Sequence, residues 1–134
     1  MHPAIALQAE IFTTLIASTD LATALGGAFI YDDVPNGQKP PYIIFGTAVY
    51  SNWSTSTEDG TEHTILLDIW STENGRKQVL EISQHIVEAL DALPKIISGH
   101  HLINMTNESL EVSHNAQSGY FHGTLNYRAI TEPA

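Results

Sequence analysis

The chain has 134 residues, with Lys+Arg 5 against Asp+Glu 15, a formal charge of −10 and no cysteine. That length fits a single domain, 1–134. The acidic balance excludes a dedicated nucleic-acid binder and an anionic membrane surface as partner, and the missing thiols exclude disulfides, thiolate metal sites and cysteine nucleophiles.

The N-terminal stretch Met1–Glu10 carries no Lys or Arg, and Gln8 and Glu10 interrupt its apolar run. It is not expected to act as a secretory signal. Asn52, Asn104 and Asn107 each head an Asn-x-Ser/Thr triplet. With no sign of secretion, these are read as chance matches. From Ala4 to Ala17 the residues Leu7, Ile11 and Leu15, with Phe12 and Ile16 beside them, predict one broad apolar helix face. Thr19-Asp20 can cap a second short turn through Leu25, and Gly26-Gly27 supplies its stop. Ala28–Tyr31 reads as a short strand, and Asp32–Pro41 as a turn-rich connection.

Tyr42–Gly46 is an apolar strand that continues or bends into Thr47–Trp53. After the polar loop Ser54–Gly60, the stretch His63–Trp70 alternates, with Ile65, Leu67 and Ile69 on one side. The pairing of Thr47–Trp53 with His63–Trp70 is the clearest predicted hairpin. Asn74-Gly75 breaks the strand, and Arg76 opens a helix with Val79, Ile82, Ile86, Leu90 and Leu93 on its apolar stripe. Pro94 ends that helix or lies just past it. Leu102–Met105, Leu110–His114 and Tyr120–Thr131 then read as strands, with Gly123 interrupting the apolar face of the last. The order predicts an α+β domain, an antiparallel or mixed β-sheet with two main helices packed on one face.

The chemistry-bearing motifs are sparse. There is no Gly-x-Ser-x-Gly elbow, and Gly26-Gly27 is followed by no phosphate-binding Lys-Ser/Thr. Among the seven histidines, His100-His101, His114 and His122 could converge on a metal if the C-terminal strands pair. Against that stand the absence of any ligand spacing and the opposite directions of adjacent His100 and His101 in extended chain. The acidic pairs Asp32-Asp33 and Glu58-Asp59 sit beside turn signals and read as solvated turn acids. Trp53 and Trp70 read as closing the two ends of the sheet core, or, for Trp53, as an interface anchor.

Several segments together carry a family resemblance. They are Ala6–Ala9, Ile30–Pro35 with Pro41–Ile43, the block Asn52–His63, Ile69–Ser71, and His122-Gly123 leading to Tyr127–Glu132. The chain resembles the small tail-completion proteins of long-tailed bacteriophages, the tail-terminator or tail-to-head joining family that also occurs in phage-like gene transfer agents. Trp53 to His63 is its most specific block, although Asn52 stands where an acidic residue is expected before the tryptophan.

The resemblance implies a ring, usually a hexamer, located in the tail or neck of a virion assembled in the bacterial cytoplasm. Such a ring caps the tail tube and docks the head-neck stopper or connector, so the partners are other copies of the chain, the major tail tube protein and that neck protein. It implies no catalytic residue, metal or cofactor. The candidate assembly-interface residues are Trp53, Ser54, Thr55, Thr57, Glu58, Asp59, Asp32 and Asp33. DNA would traverse the lumen without specific binding, and the acidic excess suits that passage. The alternatives are another neck component, such as a stopper or connector, or a small metal hydrolase using the C-terminal histidines.

Overall fold

The computed structural model describes residues 2–72 and 75–134. In chain order its elements are α1 (Pro3–Ile16), α2 (Thr19–Leu25), β1 (Ile30–Tyr31), β2 (Tyr42–Asn52), β3 (Thr61–Trp70), α3 (Lys77–Leu90), β4 (Ile96–Ile97), β5 (His100–His114) and β6 (Phe121–Pro133). The strands form one mixed sheet in the order β1-β2-β3-β6-β5-β4. Only β1 and β2 run parallel; the other pairs are antiparallel. This is the α+β architecture expected, with a third short helix, α2, between the two main ones.

Local chemistry accounts for the helix ends. Pro3 occupies the first turn of α1, where its fixed φ is already helical, and His2 Nδ1 accepts a hydrogen bond from the Ala4 N–H at 3.0 Å. The covered face of α1 is narrower than its sequence indicates. Ala6, Leu7, Ile11 and Leu15 are buried, whereas Phe12 and Ile16 are 38% and 40% exposed. The cap of α2 is Ser18, whose Oγ accepts from the Leu21 N–H, rather than Thr19. Gly26 at φ 80 ends α2 in the left-handed region, where a side chain would be strained. Helix α3 buries Val79, Ile82, Ser83, Ile86 and Leu90; Leu93 and Pro94 lie beyond its end. The predicted break at Asn74 lies outside the described residues.

Strand β2 is continuous, and a bulge between Phe45 and Ala48 absorbs the bend expected after Gly46. The two C-terminal strands expected at Leu102–Met105 and Leu110–His114 are one strand, β5. Its pairing with β6 shifts register between Leu102 and Asn104 and again between Asn107 and Ser109. The polar run Thr106–Ser109 hides this continuity, because exposed positions on an outer strand need no apolar alternation.

The core lies between one face of the sheet and the three helices. His63, Ile65, Leu67 and Ile69 of β3 stand opposite Ala129, Tyr127, Leu125 and Gly123 of β6, and all eight are buried. Gly123 does not interrupt this face. Its missing side chain is where Val79 of α3 descends onto the sheet, since a Cβ there would collide with Val79 Cγ1.

Candidate functional site

The expected interface residues fall on two separate surfaces. Ser54 to Asp59 form the β2–β3 loop, and each residue from Trp53 to Asp59 is exposed. The loop is nevertheless tied to itself. Trp53 N–H donates to Gly60 O at 2.9 Å, and Thr55 N–H to Glu58 O at 2.7 Å. Asn52 Oδ1 accepts from Ser54 N–H at 2.9 Å, Thr55 Oγ1 from Glu58 N–H at 3.0 Å, and Ser54 Oγ from Gly60 N–H at 3.2 Å. Short polar side chains thus bond the backbone two to six residues away, which fixes the loop's shape.

Trp53 lies across buried Gly60, where a Cβ would stand 3.1 Å from Trp53 O and 3.3 Å from Trp53 Cε3. The indole remains 45% exposed. It does not close the core, and neither does Trp70, which stacks on His122 on the opposite, helix-free face (centroids 4.2 Å apart, planes at 14°). Ser54 and Asp59 line a hollow with His2, Tyr50, His100 and Glu132.

Asp32 and Asp33 follow β1 and are exposed. They rim a groove of about 540 Å³ between α1 and β1, floored by Ile5, Ala9, Phe12, Ile30 and Phe45. This groove shares no lining residue with the hollow beside the loop, so the two sets of candidate residues lie on distinct surfaces. Sequence reading missed the apolar half of the second surface. Ile5 is 59% exposed, yet in the one-dimensional pattern it belongs to an ordinary apolar helix.

The helix-free face carries a polar ladder. Asp68 Oδ1 accepts from Thr124 Oγ1 and pairs with His122 Nε2, both at 2.9 Å. Arg128 donates to Glu62 Oε2 at 2.7 Å. On the covered face, His63 is fully buried. Its Nε2 lies 2.9 Å from Thr131 Oγ1, while Nδ1 has no hydrogen-bond partner. Burial lowers its pKa to about 4, with repulsion from His2 and His100 adding to the effect.

The C-terminal histidines do not converge. His100 pairs with Pro133 and His122 with Ser113, so the two sit at opposite ends of β6, roughly 35 Å apart along the strand. Among the described residues, the His–carboxylate group close enough to share an ion is Asp20, His85 and Glu88, with ligand atoms within 4.8 Å of one another. Asp20 and Glu88 are solvent-exposed, and Glu88 Oε1 already accepts from Gln84 Nε2 at 2.9 Å.

The exposed β2–β3 loop and the acid-rimmed apolar groove are surface features of an α+β domain, and among the described residues the C-terminal histidines form no cluster. The chain belongs to the tail completion protein gp17 family, whose model matches residues 9–132. It is a structural protein of the virion tail or neck, not an enzyme. Its fold is shared with a chain in the virion of a native gene transfer agent particle, at 23% identity and a TM-score of 0.82 over 96% of both chains. It is shared also with the gp17 protein of bacteriophage SPP1, at 18% identity and a TM-score of 0.62 over 96% of this chain and 91% of that one. No curated protein sequence matches the chain.

Proposed function

We propose that copies of this chain close the tail tube as a ring, six to a ring as the family resemblance implies, with the tube protein on one side and a head-neck connector on the other. The observation that carries this reading is the β2–β3 loop. It is exposed along its whole length yet held by its own hydrogen bonds, and it presents Trp53 half out of the surface. Fixing exposed backbone costs about 1–2 kcal/mol per residue, and a pre-set loop lowers that cost at the moment of binding. Tryptophan at the base of such a loop is a frequent binding anchor. Trp53, Ser54, Thr55, Thr57, Glu58 and Asp59 therefore form the contact to an adjoining ring.

DNA would pass such a ring without being held. Of the five basic side chains, Lys77 pairs with Glu81, Arg128 with Glu62, and Arg76 lies over the Phe121 ring. No basic stripe remains to release counterions from phosphates, and six chains would together carry about −60. Tight, salt-sensitive DNA binding by the purified ring would refute this part.

The mass in solution tests the assembly, measured for the chain alone and with the tail tube protein of the same phage. A ring in either sample supports the reading, and a chain that stays single with tube protein present overturns it. Trp53→Ala should keep the far-ultraviolet circular dichroism of the wild type and weaken tube binding at least about tenfold. Binding to a neck protein but not to tube protein would instead give the chain the stopper role.

A further inference from the structure

The ring reading leaves open which surfaces join one copy to the next, and the inference here rests on that reading. We infer that the β4–β5 edge of one copy seats in the groove between α1 and β1 of its neighbour, with Ile96 and Ile103 entering the groove and Lys95 meeting Asp32 and Asp33.

Both edges of the sheet are unfinished. At one end β1 is two residues long and pairs only with β2; at the other, β4 is two residues long and pairs only with His100 and His101 of β5. From Ile103 to His114 the outer side of β5 has no strand beside it, and that stretch contains no Lys, Arg or Pro. An open edge is a template for association; here Glu108, Glu111 and the register shift at Asn107/Ser109 blunt its far part, which leaves the end near Ile103 and β4 as the part open to a neighbour.

The two edges complement each other. The groove side is concave and apolar, with Ile5 and Phe12 exposed, and its rim is acidic. The β4–β5 side presents two exposed apolar side chains, Ile96 at 66% and Ile103 at 48%. Lys95 is exposed next to Ile96 and, with Asp91 and Ile103, lines a shallow hollow at that edge. Among the described residues neither Lys95 nor Asp32 nor Asp33 has an ion-pair partner.

Because the two surfaces sit at opposite edges of one sheet, the contact is head-to-tail, the kind that closes into rings. A two-fold dimer through the groove would instead set Asp32 and Asp33 against their own copies. Like charges brought together across a closing interface oppose it.

The chain has no cysteine, so in a single-cysteine variant the introduced thiol is the one this chain contributes. Asp33→Cys and Lys95→Cys, on separate chains, are mixed with wild-type tube protein and treated with a short bis-maleimide. The expected result is a cross-linked dimer in the mixture and none in either variant alone. A ring of confirmed mass whose mixed variants do not cross-link overturns this joint and leaves the ring reading intact. A dimer of equal yield from one variant alone also overturns it, by showing like edges in contact. A wild-type chain that never forms a ring overturns both. As a second arm, Ile96→Asp, at a position 66% exposed, should raise the concentration needed for assembly at least about tenfold with unchanged circular dichroism. Unimpaired assembly of that variant also counts against the joint.

Discussion

The two faces of the β3–β6 pair are made from alternate residues of the same strands, and different forces hold them. On the covered face, Ile65, Leu67, Ile69, Leu125 and Tyr127 meet the helices and are nearly or wholly removed from water. On the open face, Asp68, His122, Thr124, Arg128 and Glu62 bond one another across the strands, with Trp70 stacked on His122. The covered face fixes the fold, through area taken from water at roughly 25 cal/mol per Å². The open face adds cross-strand contacts worth about 0.2–1 kcal/mol each and keeps that side of the sheet wettable.

Adjacent leucines expose this difference most sharply. Leu67 is fully buried among β2, β6 and the helices, whereas Leu66 on the other face is only half-buried. Leu67→Ala should lower unfolding stability by about 2–5 kcal/mol, from lost burial and the cavity left behind. Leu66→Ala should cost about 1 kcal/mol, in proportion to the smaller area it hides. Urea titrations of both variants measure the contrast. Equal losses would mean that the open face is covered in solution by something the single chain does not contain.

His63 is the polar exception within the covered face, and its effect depends on pH. Its folded pKa, about 4, lies below the ordinary value of 6.5, so the unfolded chain binds the extra proton between those values. Stability from this group is therefore complete above pH 6.5 and is lost as pH falls towards 4, on the order of 3 kcal/mol in all. His63→Gln should flatten the dependence of unfolding free energy on pH across that window, whatever it does to stability at pH 7. Parallel slopes for variant and wild type would show that other groups carry the acid response.

Much of this division was legible in the sequence. Strict alternation in His63–Trp70 gave the two faces of β3, and spacings of three and four gave the buried stripe of α3. The rest failed for physical reasons. Phe12 and Ile16 look like core residues because a helical pattern gives the width of an apolar stripe but not how much of it a neighbour covers. Strand β4 is too short to show periodicity. Alternation puts His63 on the same face as Ile65, but that it is fully buried there depends on α1 lying over that end of the sheet, a tertiary fact. The loop from Trp53 to Asp59 was legible as polar and exposed. Its internal hydrogen bonds were not, because they depend on which short side chains turn back on the backbone. Asp32 and Asp33 were legible as turn acids, while the groove they rim is assembled from α1, β1 and β2.

Two glycines bring the comparison down to single atoms, one on each face. Gly123 on the covered face leaves the space that Val79 fills from α3, and Gly46 on the open face leaves the space that the Asp68 carboxylate fills from β3. In both places a Cβ would collide with the neighbouring side chain, but the neighbours differ in freedom. Val79 is fully buried on a packed helix, so relief at Gly123 requires α3 to shift against the sheet. Gly123→Ala should therefore cost about 1–3 kcal/mol, the range for overpacked cores. Asp68 is a short side chain at a part-exposed position, and it can swing into water at the expense of its bonds to His122 and Thr124. Gly46→Ala should cost about 1–2 kcal/mol, the worth of those bonds in a partly solvated setting together with a 3.3 Å approach to the Leu66 backbone oxygen. It should also free His122 from its bond to Asp68, so the imidazole resonances of that residue should shift in the NMR spectrum. A loss at Gly46 as large as that at Gly123 would show that the open face is packed as tightly as the core, and the two faces would no longer be distinct in kind.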